Sequence, residues 1–199
     1  MSTGLFMGVR QSYIEEAQPL AQQFIHAMNR ALESNGISVY VEPDTPPNIY
    51  NGNLFGRSEL DHHTSRVLAE VAGIAASLSP SPHLALIRDN PYRVSFVPVD
   101  FDLPLQTDYS EQISGTAIPI HVGSLPQLLV ELEALAKVLG IPLNKSGLSD
   151  RDAAAINACR QLHDGDAAEL IEDKRTAWLL LYEGTRLAIH HNIALTLAG

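Results

Sequence analysis

The chain has 199 residues, 45% of them hydrophobic and 18% charged, which is enough to bury a packed core and excludes a disordered chain. Its formal net charge of −10 excludes non-specific binding to nucleic acid, which needs Lys and Arg to neutralise phosphates, and a polybasic role at a membrane surface. The single cysteine, Cys159, leaves no disulfide within the chain, and no apolar run reaches the ~18 residues of a membrane span, so a cytoplasmic protein is expected.

In chain order, "GLFMGV" reads as a short strand. Ser12 and Glu15 have the spacing of a capping box. Leu20, Phe24, Met28, Ala31 and Leu32 recur at helical spacing, with Pro19 at the start and Gly36 at the stop. "ISVYVEP" alternates and is rich in β-branched residues, which predicts a strand. "DTPPNIYNGNLFGRS" predicts a long loop.

Ser58 is the expected N-cap of a second helix, with Leu60, Thr64, Val67, Leu68, Val71, Ile74, Ala75 and Leu78 on its inner face. "HLALIR" and "YRVSFVPVDF" predict two strands joined as a hairpin by "DNP". "TAIPIHV" predicts another strand, with Pro119 at an edge or irregular position.

The third helix begins at Ser124, where Gln127 completes a capping box. Its stripe of Leu125, Leu128, Leu129, Leu132, Leu135, Ala136 and Leu139 is expected to pack on the sheet, and Gly140 and Pro142 end it. A shorter helix follows from Ser149 to near Gly165, with Cys159 a buried, inert thiol. The last helix is capped by Asp166 with Glu169, is apolar on nearly every side through "AWLLLY", and precedes a final strand with Ile193, Leu195 and Leu197 on one face.

These elements predict an α+β fold. A mixed, largely antiparallel sheet is packed by about five helices, the last long and central. A single domain over residues 1–199 is expected, with residues 140–150 the place for any boundary between sub-lobes.

The histidine doublets do not read as metal sites. Metal pairs on a helix use i,i+3 or i,i+4 spacing, and neither His62–His63 nor His190–His191 has a second histidine there. His190, His191 and Asn192 suit the last turn and C′ position of a helix. No metal and no cofactor are expected.

Asp100 and Asp102 alternate in "VDFD", so a strand there would place both on one side. No Lys or Arg occurs between Arg93 and Lys137, an interval holding Asp100, Asp102, Asp108, Glu111, Glu131 and Glu133. An acidic region without local compensation can steer a basic partner. Asp100, Asp102, Asp108 and Glu111 are therefore the expected partner-binding residues. Arg57 and Ser58, at a helix start, form a second candidate, for an anion.

The leading expectation is a non-enzymatic interaction or inhibitor protein, of the immunity or antitoxin kind found in bacteria, that binds a basic protein. No nucleic acid and no membrane enter that expectation, and the oligomeric state is open. The alternative is a metal-assisted hydrolase built from His62, His63, His121, Asp100 and Asp102. No P-loop, G-x-G-x-x-G or G-x-S-x-G motif points to a named chemistry.

Overall fold

The structure is a computed structural model and describes residues 3–10, 18–43, 58–60, 62–78, 80–89, 93–110, 117–145, 147–159 and 167–198. The elements in chain order are β1 (Thr3–Met7), α1 (Gln18–Ser34), β2 (Ser58–Leu60), α2 (His62–Leu78), α3 (Pro82–Asp89), β3 (Arg93–Val97), β4 (Leu105–Ser110), β5 (Ala117–Ser124), α4 (Leu125–Val138), α5 (Asp150–Cys159), α6 (Ala167–His191) and β6 (Leu195–Ala198). The strands form one sheet in the order β2-β1-β6-β3-β5-β4. Among the described strands β3 and β5 run parallel and the other four pairs are antiparallel. The fold is α+β with a mixed, largely antiparallel sheet, as the sequence predicts.

Strand alternation sends side chains to two faces. Leu5, Val94, Phe96, Leu195 and Leu197 join the larger core with α2, α3, α4 and α6. Val97, Ile120, Val122 and Ala194 join the smaller core with α1. The "AWLLLY" segment of α6 is buried throughout, from Ala177 to Tyr182. Trp178 stacks on Tyr182 with ring centroids 4.5 Å apart and donates from Nε1 to the Leu132 carbonyl at 2.8 Å. The leucine stripe of α4 therefore packs chiefly on α6, with α3 next and a smaller contact to the sheet at β5.

Three expected elements differ. "HLALIR" is helix α3, so the hairpin with β3 does not exist; β3 pairs with β5 and β6 instead. Ser81 and Pro82 start the helix: the Ser81 carbonyl accepts from Ala85 N at 2.9 Å, and proline suits the first helical turn. "ISVYVEP" joins no strand. Its alternation is real, but Tyr40 and Glu42 are the buried residues, while Val41 is 70% exposed. The Asn29 side chain takes a strand neighbour's place, accepting from Tyr40 N and donating to Tyr40 O, both at 2.8 Å. The Glu42 carboxylate accepts from Val9 N and Arg10 N, and the Tyr40 hydroxyl accepts from Ala194 N. Ser58 lies in β2, opposite Leu5, rather than capping α2.

β4 was not foreseen as a strand. Pro119 fits the reading of an edge position: it pairs in regular register with Asp108 of β4 and lies beyond the stretch of β5 that β3 pairs, so among the described residues β4 alone flanks it. The expected caps at Ser12, Glu15 and Asp166, the Glu169 side chain, the 44–57 loop, the 160–165 end of α5 and the Cys159 side chain lie outside the described residues.

Candidate functional site: an acidic loop held by a buried histidine

β3 and β5 are parallel neighbours, and β4 lies outside β5. The chain leaving β3 must therefore cross the end of β5 to reach the edge of the sheet. The crossing segment is "PVDFDLP", residues 98–104, bounded by Pro98 and Pro104. It is irregular rather than strand, because it has passed the last residue of β3. Asp100 and Asp102 still share an orientation, since both are exposed while Phe101 between them is buried.

Three contacts fix the loop. Phe101 enters the smaller core. Asp100 Oδ1 accepts from Gln127 Nε2 at 2.8 Å. The Asp102 carbonyl lies 3.2 Å from His83 Nε2. His83 is fully buried, meets Phe101 edge-on at 5.8 Å, and accepts from Ser124 N at Nδ1, 3.1 Å away. Because Nδ1 accepts, the ring proton sits on Nε2 and is donated to Asp102. Burial pushes His83 below its ordinary pKa of 6.5, against the pull of the backbone acceptors and of Asp100 and Asp102.

The expected capping box at α4 is half made. Ser124 Oγ accepts from Gln127 N at 3.3 Å, but the Gln127 side chain goes to Asp100 and Ser124 N goes to His83. The Asp100 carboxylate thus lies beside the N-terminus of α4, whose partial positive charge favours it without any basic side chain.

Asp108 is exposed on the edge strand β4. Among the described residues, the ion pairs are Arg66–Glu70, Lys174–Glu70, Arg88–Asp89 and Arg186–Glu183, so Asp100, Asp102 and Asp108 have no basic partner there. Arg88 is taken by Asp89, through Nε at 2.7 Å and Nη2 at 2.9 Å. The Arg93 side chain, Glu111, Arg57 and Arg160 lie outside the described residues. Glu131 leaves the acidic surface: it is buried and accepts from His83 N at 3.1 Å and Leu84 N at 2.7 Å, capping α3 from α4. Burial raises its carboxyl above the usual range.

The helix start expected to hold an anion is displaced. Ser58 is in β2 and α2 begins at His62, so Ser58 does not open a helix; Arg57 lies outside the described residues. Among the described residues no group of three His, Cys, Asp or Glu side chains is placed to hold a metal ion. The His62 and His63 side chains lie outside those residues, and His121 is half-buried in β5. His190 and His191 form the last turn of α6, edge-on to each other at 4.7 Å. Asn192 takes the left-handed conformation, φ 54°, and Ile193 N donates to Ala188 O while Asn192 N donates to Ile189 O. That is a Schellman stop, as the sequence suggests.

The sequence reading missed His83. A histidine in a segment taken for a strand gave no reason to join it to Asp102. The available signal was "SP" before the apolar run, a helix start that would have buried the residue after it.

Residues 51–197 match the family described as "Putative DNA-mimic protein", and the chain belongs to that family. No curated protein and no solved structure matches it. The match corrects the expectation that left nucleic acid out of the partner question: DNA enters as the thing the family is described as imitating. No helix among the described residues is long and apolar enough to cross a membrane.

Proposed function

We propose that the protein occupies the DNA-binding surface of a basic, DNA-binding protein and so inhibits it, with Asp100, Asp102 and Asp108 standing in for backbone phosphates. Glu111, the residue that follows β4 in the chain, lies outside the described residues and joins this proposal by sequence alone. The observation that carries this reading is that these aspartates are exposed and, among the described residues, without a basic partner. Family membership supports DNA mimicry over other forms of acidic recognition. A cleft built to neutralise phosphates offers Lys and Arg to any fixed array of anions. The protein would act in the compartment that holds its partner's DNA, which agrees with the cytoplasmic expectation.

Competition tests this. DNA-binding proteins of the source cell are loaded on immobilised duplex DNA and challenged with the purified protein. Release of a discrete DNA-binding protein, weakened by Asp100→Asn/Asp102→Asn/Asp108→Asn, is the expected result. No release, or equal release by the triple variant, overturns the proposal.

A further inference from the structure

We propose that His83 is the positioning residue of the acidic loop: the neutral imidazole holds residues 100–102 in place, and protonation of the ring releases them. The use of the loop rests on the function proposed above; the clamp itself rests on geometry alone.

Both ring nitrogens are committed, in opposite senses. Nδ1 accepts from Ser124 N, and Nε2 donates to the Asp102 carbonyl. A second proton would sit on Nδ1 and point at the Ser124 N–H, setting donor against donor. The ring is fully buried, so that proton is withheld from bulk solvent. Gly123 keeps the approach open. A Cβ there would collide with the Phe96 ring and stand 3.3 Å from His83 Nδ1.

The charges facing the ring come from several elements. From the loop, Asp100 and Asp102 favour an imidazolium. From α4, Glu131 is the nearest buried acid, with one oxygen taken by His83 N and the other by Leu84 N. On α3 itself, Arg88 and Asp89 pair with each other at the far end of the helix. From β3 and β5, Phe96 and Gly123 bring no charge, and His121 acts on Asp89. None of these offers Nδ1–H an acceptor in place of Ser124 N. Burial pushes the ring below its ordinary value, in agreement with the geometry.

The experiment uses the ¹⁵N-labelled protein without any partner, so its failure is separate from failure of the competition assay. Imidazole ¹⁵N shifts report which nitrogen of His83 carries the proton. Amide exchange, corrected for intrinsic rates, reports opening at Ser124, Asp102 and Leu103. The expected result is an Nε2-protonated ring at about pH 7. Protection at these amides should fall by about 20-fold on going to about pH 5, the ratio set by an open ring of ordinary pKa near 6.5.

His83→Asn keeps an acceptor near Nδ1 and cannot gain a proton, so its protection should lose that pH dependence. Glu131→Gln should retain it, which separates the ring from the neighbouring acid. If His83→Asn does not fold, the parent spectra still decide. A ring that is Nδ1-protonated at about pH 7, or that titrates with no change in protection at Ser124 and Asp102, overturns the proposal.

Discussion

Glu131 belongs by sequence to the acid-rich interval, yet its carboxylate is spent on two backbone N–H groups of α3. Removing it leaves buried donors without partners, which costs about 1–3 kcal/mol. Glu131→Ala should lose stability in that range by urea denaturation, and Glu131→Gln, which keeps one acceptor oxygen, should lose less. Equal losses would mean that the donors find other partners.

The pH dependence of stability has two opposing parts. Burial raises Glu42 and Glu131, so the folded state holds their protons more tightly than the unfolded chain does. Their contribution weakens stability as pH rises from the ordinary value of about 4.5 through the raised one. His83 is lowered, so its contribution is complete above about pH 6.5 and is lost as pH falls through its folded value. Between about pH 5 and pH 6.5, stability of His83→Asn should therefore rise less with pH than that of the parent chain. Parallel slopes in urea titrations would show that His83 carries no such linkage.

Among the elements, the helices that carry their own caps and stripes were legible. The α4 stripe is buried as read, at Leu125, Leu128, Leu132 and Leu135, and only its neighbour was misjudged. Leu132→Ala should cost about 2–5 kcal/mol, because the side chain is fully enclosed between helices. A loss within about 0.5 kcal/mol would contradict that burial.

At the end of α6, Asn192 holds a positive φ that glycine adopts freely. Asn192→Gly should be close to neutral and Asn192→Ala should cost about 1–2 kcal/mol by thermal denaturation. The asparagine's bond to Val41 O, at 3.3 Å, is too long and exposed to reverse that order. What was not legible depended on distant partners. Residues 37–43 alternate like a strand, but whether a ladder exists is settled by the Asn29 side chain and by Ala194. Residues 83–88 are apolar enough for either element, and a carboxylate 47 residues away supplies the helix cap.

For the whole molecule, charge matters through its arrangement. The gap in Lys and Arg was visible in the sequence, and Asp100, Asp102 and Asp108 emerged from it exposed, while Glu131 did not. Sequence could not separate them, because burial of Glu131 is decided by where α3 packs. Binding to the displaced DNA-binding protein should slow as salt rises, since the Debye length falls from about 10 Å at 0.1 M to about 3 Å at 1 M. The effect should fall on the association rate, and the Asp100→Asn/Asp102→Asn/Asp108→Asn variant should flatten it. A salt-independent association rate in the parent protein would show that steering by these charges is absent.

The position of β6 sets when the whole sheet can close. Although it comes after every other element in the described chain, it lies inside the sheet, between β1 and β3. Until it docks, the early β1–β2 pair and the later β3–β5–β4 group share no ladder. During synthesis, the loop at residues 98–104 leaves the ribosome long before the strand that flanks β3 on its far side. Pairing across such sequence distances is slow, because loop closure must precede its reward. The sheet is therefore completed late, and a chain cut short before β6 would lack the strand that joins its two halves.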